Sequence, residues 1–319
     1  MNCLLTSTRL ASLRKCPRLH FYRYELGLTR IVSAAPLRFG SGFHLGQELL
    51  NTGRSIEEVI QNVAADYATI PTWADPTDWM VEFETLNALL SGHAWRYAQD
   101  NLEFIAVELS FEIPLVNPET GTRSRKFTLA GKIDAIVKLP DARLAVLEYK
   151  TAGEDIAPDS EYWLRLRCDG QISQYVLATR AMGYDVATVI YDVTRKPTIR
   201  LRQNETPETY GQRLLADLGE RPDFYFQRRE VPRLEDELTQ YKSELWQQAQ
   251  HLMDLRRRAG RLADPAIAHF RNVGRMTCSQ CDFANICLSG IHIDPANPPS
   301  GYQILADVHP ELSSEGAQS

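Results

Sequence analysis

Between Gly131 and Thr151 the sequence reads Gly-Lys-Ile-Asp-Ala-Ile-Val-Lys-Leu-Pro-Asp-Ala-Arg-Leu-Ala-Val-Leu-Glu-Tyr-Lys-Thr. Two aliphatic, β-branched runs flank Pro140-Asp141-Ala142, a tripeptide of turn type, and each run is short enough to be a strand. The stretch therefore predicts a β-hairpin. With the turn centred on Asp141, Asp134 falls opposite Glu148. Like charges facing each other across a ladder are destabilising, and Leu144-Ala145-Val146-Leu147 is apolar enough to predict a buried strand. Something has to neutralise the pair. Alternation along the strand puts Glu148 and Lys150 on one face, with Leu147 and Tyr149 on the other. Two acids and an amine then converge. Hard oxygen ligands suit Mg²⁺ or Mn²⁺, and a neighbouring ammonium can orient water or hold developing negative charge. Such a set is equipped to hydrolyse a phosphodiester. The same spacing also fits a surface hairpin carrying an Asp–Glu–Lys ion pair.

The rest of the chain bounds what this hairpin belongs to. Its 319 residues, 44% of them hydrophobic, suffice for one large domain or two ordinary ones. A formal charge of −6 gives no global attraction to nucleic acid, so such a partner requires a local basic patch. No apolar run approaches the length of a membrane span and the N-terminus shows no signal pattern, so a cytoplasmic protein without a membrane partner is expected. Six cysteines in a chain this long do not make a disulfide framework. Three of them, Cys278, Cys281 and Cys287, are spaced to close on one metal centre, and Cys16, beside a proline in a cationic segment, is the natural fourth ligand. Four cysteines fit either zinc or an iron–sulfur cluster, and buried unliganded thiols are the plainer alternative.

In chain order, Ser7 is a candidate cap for a short helix ending before Pro17. Arg14, Lys15, Arg18 and Arg23 interleave with Phe21, Tyr22 and Tyr24, a pattern able to grip a single strand or to lie as a basic face over a buried aromatic stripe. A helix with a glycine-rich start is predicted over 39–51 and carries His44, a candidate ligand or a structural histidine. Helices are predicted over 55–67 and 76–100, and a strand over 103–115 beside the hairpin. A single helix over 160–182 carries Gln171 and Tyr175 on one face, and a strand at 187–193, parallel to an earlier one, follows. Helices over 206–219 and 232–260 flank a strand-like 224–226. Arg256-Arg257-Arg258, Arg261, Arg271 and Arg275 supply a local basic patch, or cations answering a helix dipole.

Taken together, the Cys-Pro-Arg segment within Ser7–Tyr24, His44, Gly131-Lys132-Ile133-Asp134, Glu148-Tyr149-Lys150, Gln171 to Tyr175 and the cysteine trio resemble a RecB-family member of the PD-(D/E)xK nuclease superfamily. The similarity is to the branch with an iron–sulfur cluster that includes CRISPR-associated adaptation nucleases and AddB-like helicase–nucleases. It implies an α/β fold of restriction-endonuclease type: a mixed central sheet, built from an antiparallel meander and a crossover helix, with helical insertions and a cysteine-ligated cluster joining the chain ends. It further implies His44, Asp134, Glu148 and the Tyr149 carbonyl as metal ligands, Asp134, Glu148 and Lys150 as catalytic residues, and Gln171 and Tyr175 as contacts to DNA or to the catalytic carboxylate; the basic, aromatic N-terminal segment adds Arg14 and Arg18 as candidate DNA contacts. Cys16, Cys278, Cys281 and Cys287 become implied 4Fe–4S ligands in preference to zinc. The expected organisation is one nuclease domain over 1–291, with an insertion at about 52–102, a cluster region from 1–30 and 265–291, and a partly disordered tail over 292–319. The implied activity is a Mg²⁺- or Mn²⁺-dependent deoxyribonuclease, an exonuclease on single strands or ends. Its setting would be repair, recombination, phage replication or CRISPR adaptation, with proteins of those pathways as partners. A non-catalytic DNA-binding or adaptor protein on the same fold is the alternative. Ile133 stands where the superfamily's name puts proline, a residue the RecB branch often lacks, and no helicase P-loop is present.

Overall fold

The structure, a computed structural model, describes residues 3–312. Its strands are β1 (Cys3–Leu5), β2 (Leu28–Arg30), β3 (Glu103–Val116), β4 (Arg123–Lys138), β5 (Leu144–Ala152), β6 (Val186–Arg195), β7 (Phe226–Val231) and β8 (Tyr302–Ile304). Between them run helices α1 (Ser7–Lys15), α2 (Pro17–His20), α3 (Ala35–Asn51), α4 (Ile56–Tyr67), α5 (Pro76–Arg96), α6 (Glu161–Leu166), α7 (Gly170–Ala181), α8 (Pro207–Glu220), α9 (Pro222–Tyr225) and α10 (Glu235–Ala259). The chain, expected to be one domain over 1–291, packs as two compact units: one from Met1–Ser33, Ser110–Lys132 and Leu234–Ser319, the other from Ala34–Leu109 and Ile133–Arg233. Among the described residues no helix is long and apolar enough to cross a membrane.

The second unit holds the hairpin. β4 and β5 pair antiparallel from Ala135↔Leu147 to Lys138↔Leu144, a register that places Asp134 one step beyond the first of these pairs, level with Glu148. The turn closes through Ala142 N–H donating to Leu139 O, with Ala142 in the left-handed region at φ 70°. β6 runs parallel to β5, and β7 antiparallel to β6, so the sheet is mixed. Strand, helix and parallel strand form the crossover that α7 completes. Phe43, Leu86, Leu89, Val137, Leu147, Leu214 and Tyr225 belong to one buried cluster beneath the sheet. Helix starts follow local chemistry: Ser55 and Glu58 form a reciprocal capping box on α4, and Asp75 caps α5 ahead of Pro76.

Several sequence expectations need correction. Thr6, not Ser7, caps α1 by accepting from Arg9 N–H. α3 begins at Ala35, because Pro36 fits the first turn, ahead of the glycines. The helix expected over 160–182 is two helices, since Asp169 turns its side chain onto Gln171 N–H and restarts the chain as α7. Residues 224–226 straddle the end of α9 and the start of β7 rather than forming a strand. The tail is ordered where β8 pairs antiparallel with β2; its expected disorder beyond residue 312 falls outside the described residues.

The first unit is braced by a buried ionic cluster. Arg9 is 3% exposed; its Nη2 donates to Glu25 at 2.7 Å and its Nε to His20 Nε2 at 3.2 Å. Arg256 clasps the same Glu25 carboxylate at 2.7 and 2.8 Å, so it is a structural cation and not part of an open basic patch. Burial and the Arg9 guanidinium push the His20 imidazole down from 6.5 to about 3. Between those pH values the unfolded chain binds a proton that the folded chain refuses, so stability falls as pH drops from 6.5 toward 3. His20→Gln is expected to remove about 1.4 kcal/mol per pH unit from the slope of unfolding free energy across that window. Urea denaturation at stepped pH measures the slope, and a variant parallel to the parent would contradict the assignment.

Candidate active site

Every residue of this centre comes from the second unit. Asp134, at the end of the paired part of β4, accepts Tyr149 N–H on Oδ2 at 2.7 Å, so the carboxylate takes a main-chain donor of the next strand. Its Oδ1 faces His44 Nδ1, from the middle of α3, at 3.3 Å. Glu148 and Lys150 rise from one face of β5, and Lys150 Nζ donates to Glu148 Oε1 and, at 3.1 Å, to Gln171 Oε1. Gln171 Nε2 reaches the same Glu148 oxygen at 3.0 Å and the Tyr175 hydroxyl at 2.8 Å. The first turns of α7 thus lie over the acidic strand. His44 and Lys150 side chains are 35% and 30% exposed, whereas Glu148 is 2% exposed, so the site opens to solvent on the side of the imidazole and the amine.

The two carboxylates are driven apart. Burial works to raise Asp134, but His44, Lys150 and the Tyr149 N–H together hold it below its ordinary value. Glu148 is pushed up to about 7 by burial first and by Asp134 second, against the pull of Lys150. His44 is raised because Asp134 outweighs its burial, and Lys150 is raised because Glu148 and Asp134 do the same. One ionised acid, one acid that titrates near neutrality, an imidazole biased toward its protonated form and an ammonium form an arrangement suited to managing protons on a substrate.

The family model of the PD-(D/E)XK nuclease superfamily matches residues 5–288. The chain belongs to that superfamily. Its mixed sheet with flanking helices is consistent with the restriction-endonuclease-like fold. None of the curated proteins matches the sequence. Among solved structures it is similar to SSO0001, at 15% identity over 91% of this chain and 87% of the other, TM-score 0.37. It is also similar to a protein of Eubacterium rectale described as "Putative exonuclease", at 10% identity over 93% and 91%, TM-score 0.46.

Members of a nuclease superfamily of this kind work with Mg²⁺ or Mn²⁺, and the donor set can be tested against such an ion. Imidazole and carboxylate are suitable donors for these hard cations, and Glu148 Oε2 is buried with no hydrogen-bond partner among the described residues. An acceptor left free in this way fits a cation. Among the described residues no three His, Cys, Asp or Glu side chains already stand at metal-binding distances. His44 instead partners Asp134, and Lys150 partners Glu148. The Tyr149 side chain points away to Asn51 at 3.0 Å, leaving only its main chain at the site.

The remaining sequence candidates lie in the first unit. Cys16, Cys278, Cys281 and Cys287 all line one cavity, with Arg18, Tyr22 and Phe283 among its walls. Burial raises the Cys281 thiol, with Cys16 and Cys287 adding to the effect. The four thiols share this lining, but among the described residues no three of them stand at metal-binding distances; as soft donors their chemistry suits zinc or an iron–sulfur cluster. Arg18 is engaged with His269 O at 3.0 Å and with Tyr22, and Arg14 with Gln248 at 2.9 Å. Sequence reasoning missed Asp169, Tyr162 and Tyr191, each close enough to the nuclease centre to feel its charges. Asp169 was recoverable from Asp-Gly ahead of Gln171, a helix-start signature. Tyr191 was not, because the parallel register of β5 on β6 leaves no mark in either strand alone.

Because Glu148 titrates at about 7 when folded against its ordinary 4.5, the folded chain holds the extra proton between those values. Its contribution to stability is present below 4.5 and is lost as pH rises through 7. In EDTA, Glu148→Gln is expected to exceed the parent in stability at pH 8 by about 3 kcal/mol, the gap closing by pH 4.5. Denaturant melts at both pH values check it; a constant gap would contradict the burial argument.

Proposed function

We propose that the chain is a divalent-metal-dependent deoxyribonuclease acting on single-stranded DNA or DNA ends. The observation that carries this reading is the Asp134–Glu148–Lys150 group, two carboxylates of opposite titration behaviour beside a partly exposed ammonium. His44, Asp134 and Glu148 would hold a Mg²⁺ or Mn²⁺ ion, with the Tyr149 carbonyl as a further donor. When bound, such an ion polarises the scissile phosphate and acidifies water. Lys150 presents its remaining protons to the phosphate oxygens, where negative charge grows in the transition state. Gln171 holds Lys150 and Glu148 together, which fixes the ammonium's direction, and Tyr175 in turn fixes the amide. Against its burial, His44, then Lys150 and the Tyr149 N–H, hold Asp134 below its ordinary value, and the N–H fixes its Oδ2.

The four cysteines we read as ligands of a 4Fe–4S cluster, with zinc as the alternative. That four soft donors line one cavity supports it. Arg14 and Arg18, beside Cys16, remain our candidates for backbone contacts to DNA, supported by their cationic segment.

Two experiments test these readings. On end-labelled single- and double-stranded DNA with Mn²⁺, Asp134→Ala and Lys150→Ala are each expected to lower kcat by roughly 10²- to 10³-fold or more. Parent protein without cleavage would favour the binding-scaffold alternative. Anaerobically purified parent is expected to carry iron and visible absorbance, both lost in Cys281→Ser/Cys287→Ser. Stoichiometric zinc without iron would replace the cluster.

A further inference from the structure

β6 lies parallel to β5 with Glu148 opposite Tyr191, so both side chains rise from the same face of the sheet. Adjacent strands are only ~4.8 Å apart, and side chains paired across them are neighbours. The Glu148 carboxylate is used unevenly: Oε1 receives both Lys150 and Gln171, while Oε2 is buried without a partner among the described residues. The Tyr191 hydroxyl is likewise buried and partnerless among them, on a side chain 1% exposed. Burial raises this phenol far above its ordinary value, and Glu148 is the charge that acts on it most strongly, ahead of Asp169, Tyr175 and Tyr162. Buried polar atoms are nearly always satisfied, yet here a free acceptor and a free donor sit on one register pair. A single water bridging the two would satisfy both. The consequence is mechanical. The last torsion of a glutamate is soft and roughly two-fold, so contacts on Oε1 alone leave the plane of the carboxylate underdetermined.

We propose that Tyr191 is a positioning residue of the nuclease centre: its hydroxyl, through one bridging water on one lone pair of Glu148 Oε2, fixes the carboxylate plane and so the direction of that oxygen's other lone pair, the one offered to the cation. The proposal rests on Glu148 being a ligand, as read above. Tyr191 touches neither cation nor substrate; it acts only through Glu148.

Tyr191→Phe keeps the ring and removes only the hydroxyl. Mn²⁺ binding, read from the free-ion EPR signal, is compared for the parent, Tyr191→Phe and Glu148→Gln, alongside thermal melts in EDTA and DNA-cleavage kinetics. Tyr191→Phe is expected to bind Mn²⁺ about 10-fold more weakly, with kcat lowered, KM for DNA unchanged, and Tm in EDTA unchanged because the ring and its packing are kept. Parent-like Mn²⁺ affinity in Tyr191→Phe, or weaker binding accompanied by a lowered Tm in EDTA, would overturn the positioning role while leaving Glu148 as a ligand. A parent that binds Mn²⁺ no better than Glu148→Gln would overturn the ligand assignment, and the proposal with it.

Discussion

A carboxylate held at 1% exposure is the constraint around which the second unit is arranged. Burying an ionised acid without partners is prohibitive, so a chain that keeps Glu148 must supply charge and hydrogen bonds or let it protonate. This chain does some of each. Lys150 and Gln171 converge on Oε1, and the carboxyl still titrates at about 7. Those demands fix the position of α7, since Gln171 must reach back to β5, and they explain why Asp169 restarts the helix just before it. Asp134, less buried and better supplied with donors, takes the opposite titration state. Glu148 is raised by burial and by Asp134 against the pull of Lys150, whereas Asp134, against its burial, is lowered by His44, Lys150 and the Tyr149 N–H.

The first unit solves a different problem, joining segments remote in sequence. Asn272 N–H reaches Cys16 Sγ at 3.4 Å across a separation of 256 residues, and Asn272 Nδ2 donates to Lys15 O at 2.9 Å. Arg18 N–H donates to Phe270 O at 3.2 Å, and the Arg9–Glu25–Arg256 cluster ties α1 to the end of α10. Protein contacts alone therefore align the cysteine from the start of the chain with the trio near its end. A shared metal centre would add to this closure, and the entropy of restricting so long a loop grows only slowly with its length.

Much of the centre was legible because it is local. The hairpin turn, its register, and the facing of Asp134 with Glu148 follow from a short tripeptide and period-2 alternation, and Gln171 with Tyr175 follows from helical spacing. What failed to show was either competitive or nonlocal. The split of the expected 160–182 helix turned on whether Asp169 would cap or continue, a choice made by its side chain bonding Gln171 N–H. The arginines at 256–258 read as an open cationic surface, but Arg256 is absorbed by Glu25 and Arg257 by Asp254. Likewise the network of His93, Asp192 and Arg228 joins three distant elements, and no window of sequence contains it.

That network bears on how β5 and β6 find their register. Residues Ala145, Val146 and Leu147 are all fully buried, so apolar alternation cannot tell one face of the strand from the other. Polar residues do so instead. With Glu148 opposite Tyr191 and Tyr149 opposite Asp192, one face carries Glu148, Lys150 and Tyr191 and the other carries Tyr149 and Asp192. Asp192, at 0% exposure, is held by His93 at 2.9 Å and by Arg228 from its register partner on β7. Slipping β6 by one residue in one direction would set Asp192 opposite Glu148, two buried carboxylates side by side, and would strip Asp192 of both its hydrogen-bonding partners. A slip the other way would exchange the faces of every side chain on the strand. The acids that make the site chemically useful therefore also exclude the nearest misfolded pairings. Register at the centre of the sheet is specified by charge where hydrophobicity is silent.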